Sequence, residues 1–330
     1  MSALRPAIER LPRSVHLLIW LGFLALAGFP LWGSDFYAQM VVRMMILAIF
    51  AMSLDLLQGV TGLVSLGHAA YFGLAGYALT FLTPTDQAPS LYTTLPLAVG
   101  GSALAALCIG ALVVRTRGIY FIMVTMAFAQ MVYYVFFDNK PLGGSDGLYL
   151  NFRPDALWFD LDDKRVFYYF TWAMLILVYL FLRRLLGSPV GRALVGIRTN
   201  EHRMRALGFS TYAHKLAAFT LAGALAGLAG YLWAAQTGFV NPELMGFHMS
   251  AHAIMMVILG GMGQFAGAIL GAFGFELLMH FLKDLPDVGG FALGKHWAMW
   301  MGLLIVAVVI LAPGGILGWL VRKPREEVLP

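Results

Sequence analysis

Apolar runs of about twenty residues recur along the whole chain and are separated by short polar stretches. A helix of that length crosses the hydrocarbon core of a bilayer. The runs lack the alternation of apolar and polar residues typical of barrel strands, so helices must satisfy their backbone groups. We therefore predict an all-α polytopic membrane helix bundle. Its ten predicted spans are residues 15–33, 36–57, 63–82, 93–114, 118–137, 166–186, 216–234, 244–262, 264–282 and 297–313.

The boundary between the eighth and ninth spans depends on a cluster of glycines. As one helix, residues 244–282 would extend about 58 Å at 1.5 Å per residue, almost twice the thickness of a bilayer core. We predict that Gly260, Gly261 and Gly263 separate two spans there. Without that separation the chain would have nine spans.

Ten spans divide into two halves of five, and an odd number of spans in each half predicts that the halves are inverted relative to one another. Spans 3 and 8 would then correspond, and both are rich in glycine, at residues 59–77 and 257–275. Paired glycine-interrupted segments indicate a transporter's substrate path, because broken helices leave free backbone groups at membrane depth. The alternative is that the glycines only allow close helix packing, as Gly223 and Gly227 also would.

Composition supports the membrane assignment, since 60% of the residues are hydrophobic and 12% are charged, too few to cover a soluble globule. The basic residues then orient the chain. Residues 183–215 hold seven bases and one acid, a net charge of +6 in a chain whose total is +5. With the N- and C-termini in the cytoplasm, 15 lysines and arginines lie inside and 6 outside, in agreement with the positive-inside rule.

The first span also resembles a secretory signal. Arg5, Arg10 and Arg13 precede an apolar run that contains a small-x-small cleavage pattern. Cleavage would then remove residues 1–27. An uncleaved first span is our prediction, and we treat residues 1–330 as a single transmembrane domain.

Motifs for catalysis and for nucleotide binding are weak. The nearest match to an ATP-binding loop runs from Gly289 to Lys295 and is followed by His296, where a magnesium-binding hydroxyl is required. His248 and His252 would share a helix face, but a third metal ligand is not evident. We therefore predict that the chain is not an enzyme and itself binds no metal or other cofactor. Any ATP would be hydrolysed by another polypeptide.

Ionisable residues in the predicted spans support a second hypothesis, a self-sufficient ion-coupled carrier. Arg43, Asp55 and Glu276 lie within or near the edges of spans, where a charged group is a functional candidate. Arg43 and Asp55 would lie about 18 Å apart along one helix, too far to pair within their own span. Each of these residues therefore requires an interior partner or a snorkelling route to the membrane surface.

Three stretches of the chain form a distinctive set. The first is GLVSLGHAAYFGLAGY at 62–77. The second is SPVGRALVGIRTNE at 188–201, which continues to Gly208. The third is FVNPELMGFHMSAHAIMMVILGGMGQFAGAILGA at 239–272. Together they resemble the branched-chain amino acid ABC transporter permease family, specifically its LivM-type subunit, with His68 where glutamine is more usual. The three matches occur in the family's order, which is more specific than any one of them.

The resemblance implies a permease subunit of an importer in the inner membrane of a bacterium. Two homologous permeases would form the path, two cytoplasmic ATPase subunits would bind ATP with magnesium, and a periplasmic binding protein would deliver the substrate. Membrane lipid is a further expected partner, and nucleic acid is not. The implied substrate is a branched-chain or related amino acid, and urea or another small polar solute is the alternative.

The resemblance also implies that residues 187–215 form the loop that couples the permease to the ATPase. The residues that carry this match are Gly191, Arg192, Arg198, Glu201 and Gly208. A short helix entering at Asn200, with Glu201 near its positive end, would be a rigid lever. From Arg203 to Arg205 the chain departs from the small and acidic residues of relatives. The alternative is that the charges of this loop only determine its side of the membrane.

A second group of residues is implied to line the translocation path, and it comes from the first and third of the matching stretches, at 62–77 and 239–272. These residues are Ser65, Gly67, His68, Asn241, Ser250, Gly260, Gly261 and Gly263.

Overall fold

The computed structural model describes residues 13–32, 34–84, 86–156, 160–286, 293–312 and 314–321. These residues are mainly helical, which confirms the all-α prediction. The helices are α1 (Arg13–Trp32), α2 (Asp35–Asp55, continued by a π-helical turn at Leu56–Thr61), α3 (Ala69–Leu82), α4 (Leu91–Val113), α5 (Ile119–Phe137), α6 (Lys164–Gly187), α7 (Pro189–Thr199), α8 (Glu201–Ala206), α9 (Thr211–Thr237), α10 (Phe247–Gly260), α11 (Phe265–Lys283), α12 (Trp297–Leu311) and α13 (Gly315–Val321). Two short strands, β1 (Leu148–Tyr149) and β2 (Phe239–Val240), pair antiparallel.

Three features of the sequence lie wholly or partly outside the described residues. These are the basic head at Arg5 and Arg10, the start of the weak ATP-loop match at Gly289, and the basic tail residues Arg322, Lys323 and Arg325 that enter the charge count. The expectations drawn from these residues stay sequence predictions.

Ten apolar helical segments of the described chain coincide with the ten predicted spans. Seven of them are long and apolar enough to cross a membrane, and three are shorter. The prediction of helices near twenty residues is wrong for α3 and α10, which have 14 residues each. At 1.5 Å per residue each extends about 21 Å, less than a bilayer core. Both are shorter because the chain before them, at 62–68 and 241–246, leaves the α-helical conformation.

The predicted separation of the eighth and ninth spans is confirmed. α10 ends at Gly260 and α11 begins at Phe265. Between them the φ angles of Gly261 and Gly263 are +113° and +85°, a region of backbone space that glycine enters without steric cost. The glycines therefore form the turn that a continuous helix could not make.

α2 lies at the centre of the bundle. In the most apolar 18-residue stretch of α2 and its π-helical extension, 89% of the residues are buried, against 17% in the corresponding stretch of α5. It packs against α6, α9, α10 and α11. A helix that protein surrounds on every side needs no polar face, and residues 44–52 of α2 are accordingly apolar all round.

The contacts between helices follow the predicted division into two halves. α3 packs against α4 and α9, and α10 packs against α11 and α2. Likewise α4 contacts α9, and α11 contacts α2. Exchanging α2 for α9, α3 for α10 and α4 for α11 maps these contacts onto one another. The pattern supports an internal repeat, and the inversion of the two halves across the membrane stays a prediction.

Glycines at the helix contacts allow backbones to meet directly. A Cβ atom at Gly230 of α9 would overlap the carbonyl group of Phe72 in α3. A Cβ atom at Gly223 or Gly227 would overlap side chains of α4, and one at Gly271 of α11 would overlap the carbonyl oxygen of Met256 in α10. Close packing of small residues, which the sequence offered as an alternative role for these glycines, is therefore present at several contacts.

This packing predicts opposite effects for alanine at two helical glycines. In Gly230→Ala the new methyl group collides with backbone that cannot rotate away, and we expect a destabilisation of about 1–3 kcal/mol. At Gly100 of α4 a Cβ atom would have no neighbouring atom within 4 Å, so Gly100→Ala should leave stability unchanged or raise it by up to about 1 kcal/mol. Thermal unfolding of detergent-solubilised protein measures both. Equal melting temperatures for the two variants would contradict the proposed backbone contact.

Candidate functional site

The predicted coupling loop folds as two short helices, α7 and α8. The side-chain oxygen of Ser188 accepts a hydrogen bond from the Gly191 N–H and caps α7. The Asn200 side chain accepts one from the Arg203 N–H at 3.0 Å and caps α8. The predicted helix start at Asn200 is therefore confirmed. Gly208, with φ of +87°, turns the chain from α8 towards α9, in a conformation that a residue with a Cβ atom rarely adopts.

The five residues assigned to coupling occupy different environments. Gly191 is buried, and a Cβ there would overlap the backbone of α6 at Leu185 and Leu186. Arg192, on the same helix, is exposed. The Arg198 guanidinium turns into the bundle and donates a hydrogen bond to the carbonyl oxygen of Gly59. The loop therefore has an exposed side and a side that is bonded to the spans.

Glu201 joins three separate segments through a single carboxylate. It accepts hydrogen bonds from Lys215 of α9 at 2.8 Å and from Arg205 of α8 at 2.7 Å. The Thr211 hydroxyl donates a third at 3.1 Å, and Arg117, from the turn between α4 and α5, lies 3.5 Å away. The partly buried Glu201 carboxylate therefore connects α8 of the coupling loop to α9 and to the turn between α4 and α5.

The ionisation of Glu201 follows from these neighbours. Desolvation by partial burial acts to raise the pKa of its carboxyl. The hydrogen bond and charge of Lys215, the Thr211 hydroxyl and the Arg117 charge outweigh desolvation and lower this pKa to about 2. Because folding lowers the pKa, the carboxylate stabilises the fold above about pH 4.5, and this contribution is lost as the pH falls towards 2.

We predict that Glu201→Gln destabilises the fold more than a change at an ordinary loop position would. The change leaves Lys215, which is 7% exposed, without its carboxylate, and loss of charged hydrogen bonds should lower the free energy of unfolding by about 2 kcal/mol. Thermal unfolding at pH 7 and at pH 3 measures the effect, and the difference from the native chain should shrink at the lower pH.

A matched control for this variant is Asp284→Asn. Asp284 and its partner His280 are both exposed, and such a pair contributes at most about 1 kcal/mol. If Glu201→Gln shifts the melting temperature no more than Asp284→Asn does at pH 7, then the contacts of the Glu201 carboxylate do not stabilise the fold as predicted.

Four of the predicted path residues come together at the start of α3. The His68 Nε2 atom lies 2.8 Å from the Ser53 hydroxyl of α2, and the Ser250 Oγ of α10 accepts a hydrogen bond from the Ala69 N–H at 3.0 Å. Ser65 Oγ accepts one from the Gly67 N–H. All four predicted residues are buried, and their bonds join α2, α3 and α10.

Gly67 is also a packing residue. A Cβ atom there would overlap the backbone carbonyl of Thr125 in α5, while the Thr125 hydroxyl accepts a hydrogen bond from the Leu66 N–H at 3.3 Å. A bulky substitution at Gly67 therefore disturbs helix packing whatever its effect on a path, so loss of transport in such a variant does not by itself identify a path residue.

The remaining glycines lie at the opposite end of α10. Gly260, Gly261 and Gly263 surround the turn into α11, about 15 Å along the helix from Ser250 at 1.5 Å per residue. The Gly263 N–H donates a hydrogen bond to the buried Asp55 carboxylate at 2.8 Å. Seven of the eight predicted path residues thus form two clusters rather than one site.

Asn241, the last predicted path residue, lines a groove of about 780 Å³. The walls come from α5, the end of α9, residues 239–246 and the start of α10. They include Gln130, Tyr133, Tyr134, Trp233, Glu243 and His252. The α5 wall of this groove was not predicted from the sequence, although a glutamine and two tyrosines within an apolar span were a signal for it. Aromatic walls with a few polar groups are typical of sites for small, partly apolar molecules.

The ionisable residues inside the spans have interior partners, as expected. Arg43 lies 3.9 Å from Glu276 and over the Trp233 ring at 5.3 Å. Asp55 is bonded to the backbone of the α10–α11 turn. Among the residues that the structure describes, no group of three or more His, Cys, Asp or Glu side chains is arranged to hold a metal ion. The ring of His252 instead contacts aromatic rings of α11 and α12.

A helix bundle with several apolar spans, two shortened helices and a loop of short helices bonded to its end is typical of a multi-pass membrane transport protein. A family model described as "Branched-chain amino acid transport system / permease component" matches residues 36–313. The chain therefore belongs to this permease family.

Individual relatives agree with the family match. The LivM permease protein of the high-affinity branched-chain amino acid transport system of Salmonella typhimurium is 30% identical, over 94% of this chain and 77% of the relative. The Escherichia coli K12 LivM protein is 31% identical, over 83% and 68%. The autoinducer 2 import system permease LsrC of Photorhabdus laumondii is 31% identical over half of each chain. No solved structure matches the chain.

Proposed function

We propose that this chain is the permease subunit of an ATP-driven importer for branched-chain or related amino acids. Separate cytoplasmic subunits would hydrolyse ATP, with magnesium bound there. Membership of the permease family and the similarity to LivM proteins over most of the chain support this proposal. A permease of this kind is a transport subunit and not an enzyme.

The observation that carries the coupling proposal is the two-sided structure of the loop from α7 to α9. Its inner side is bonded to the bundle through Arg198 and Glu201. Its outer side exposes Arg192 together with apolar side chains, and these are Val190, Leu207 and Phe209. Exposed apolar groups beside a base, outside the spans, suit a protein partner. A rigid segment with both properties is suited to pass force from an ATPase to the spans.

The proposed path runs along the groove between α5 and α10. Pairing with a second homologous permease would enclose this open groove and separate it from lipid. The aromatic residues Tyr133, Tyr134 and Trp233 suit an apolar side chain, and Glu243 and Asn241 offer polar groups for the rest of an amino acid. The selectivity of the importer would also depend on the binding protein that delivers the substrate.

The proposed location is the inner membrane of a bacterium, with both termini in the cytoplasm. The excess of lysine and arginine on the side of the coupling loop supports this orientation. It would place the segment around β1 outside, where the periplasmic binding protein would dock. Tyr149 and Phe152 are exposed in that segment, and pairing of β1 with β2 holds it against the end of α9.

A second candidate function is import of another small solute by the same mechanism. The similarity to LsrC, named as a permease of an autoinducer 2 import system, supports this alternative. Substrate binding by the partner binding protein separates the two candidates, because that protein selects the solute before the permease receives it.

Reconstitution tests the proposed function directly. We expect proteoliposomes that contain this permease, its permease partner, the two ATPase subunits and the binding protein to accumulate leucine only when ATP and magnesium are present on the side of the ATPase subunits. Uptake of radiolabelled leucine measures the result. Equal uptake by the permease alone, or uptake that collapses with the proton gradient while ATP stays high, would support an ion-coupled carrier instead.

Charge reversal at Arg192 tests the docking side of the loop. We expect Arg192→Glu to reduce co-purification of the ATPase subunits at least about tenfold, since like charge at a docking surface disfavours association. Arg165→Glu is the matched control, because Arg165 is an exposed arginine at the other end of α6. Unchanged co-purification in both variants would leave the loop charges with a role in topology alone.

A further inference from the structure

The extension of α2 towards the coupling loop is an irregular helix. Residues 56–61 form a π-helical turn, and all of them are buried. Such turns are uncommon and occur frequently at functional sites. Gly62, with φ of +75°, ends the helix immediately afterwards. The last carbonyl groups of this turn therefore lie where the helix itself offers them no donors.

Arg198 of α7 satisfies one of these carbonyl groups. Its guanidinium donates a hydrogen bond to the Gly59 carbonyl oxygen, and its side-chain carbons lie against Gly62. The rest of α7 packs against α6 and α9 as well as against this turn, and its buried side chains are apolar. Arg198 is thus a polar connection between the coupling helix and the end of α2.

Asp55 occupies the other side of the same turn. It lies four residues before Gly59, is fully buried, and accepts the hydrogen bond from the Gly263 N–H at 2.8 Å. The backbones of Gly59 and Gly263 are so close that a Cβ atom at Gly59 would overlap both Gly263 and the Asp55 carboxylate. The end of α2 and the α10–α11 turn therefore form one rigid contact.

Arg198 and Asp55 lie against the same turn of helix. The second carboxylate oxygen of Asp55 accepts no hydrogen bond from the residues that the structure describes. A buried carboxylate is costly without a compensating charge, and the Arg198 guanidinium is a positive charge bonded to Gly59, whose backbone lies against the Asp55 carboxylate. Withdrawal of Arg198 would therefore remove a donor from Gly59 and a counter-charge from Asp55 together.

We propose that Arg198 and Asp55 are positioning residues that connect movement of the coupling helix to the α10–α11 turn. The proposal rests on the function proposed above. When α7 moves, Arg198 shifts relative to the π-helical turn, and the bond from Gly263 to Asp55 weakens. α10 carries Ser250 towards its other end, so a displacement of this turn reaches the buried cluster at the start of α3.

Hydrogen–deuterium exchange of the detergent-solubilised permease tests the connection without transport. In Arg198→Ala we expect amide exchange of residues 258–266 to accelerate at least about tenfold, because the Asp55 carboxylate loses its counter-charge. Asp55→Asn should accelerate the same segment. Arg198→Lys, which keeps the charge, should restore slow exchange. The control Arg192→Glu alters the exposed side of α7 and should leave this segment unchanged.

Acceleration in Asp55→Asn but not in Arg198→Ala would overturn the proposal, since the turn would then not respond to α7. If Arg198→Ala does not fold, Arg198→Gln replaces it in the same comparison. In the full importer, both variants should retain bound ATPase and lower the leucine taken up per ATP at least about tenfold, and the double variant should be no worse than either one. A native importer without ATP-driven uptake would contradict the proposed function, and the exchange result would still decide this connection.

Discussion

Backbone groups freed where a helix is interrupted inside hydrocarbon cannot bond to water, so neighbouring helices must satisfy them. The structure meets this requirement with side chains from distant parts of the chain. Ser250 accepts a hydrogen bond from the first N–H of α3, and Thr125 accepts one from the N–H of Leu66, just before that helix. Asp55 accepts from the α10–α11 turn, and Arg198 donates to the end of α2. The bonds accepted by Ser250, Thr125 and Asp55 hold the two shortened helices in the bundle.

The same requirement explains why polar residues are found deep in an apolar chain. Each of Ser250, Thr125 and Asp55 is buried, and each accepts a hydrogen bond from a main-chain N–H group that a helix no longer satisfies. Glycines at the same places let the backbones approach closely enough for such bonds to form. Each interrupted helix is therefore paired with a polar side chain that accepts a hydrogen bond from its free N–H group. Neither the interruption nor the buried polar side chain would be stable without the other.

The coupling loop shows how a charged segment can be rigid at a membrane surface. Exposed ion pairs contribute little to stability, but Glu201 is surrounded by donors from α8, α9 and the α4–α5 turn, and Lys215 beside it is buried. A movement imposed on α8 is therefore shared with two spans. This arrangement gives a physical basis for force transfer that does not require Glu201 to contact the ATPase itself.

The lengths of the apolar runs determined the fold class and the number of apolar segments, because the length of a span follows from bilayer thickness. The glycine cluster determined the break between α10 and α11, because glycine permits the turn. The start of α8 at Asn200 followed from capping chemistry. The shortness of α3 and α10, the Arg43–Glu276 pair and the α5 wall of the groove required the tertiary structure. The partners of the Glu201 carboxylate also required the tertiary structure, because Arg117 comes from a distant turn of the chain. Sequence patterns report what each segment needs, namely burial, a cap or a partner for a charge. Which distant residue meets that need depends on how the helices pack.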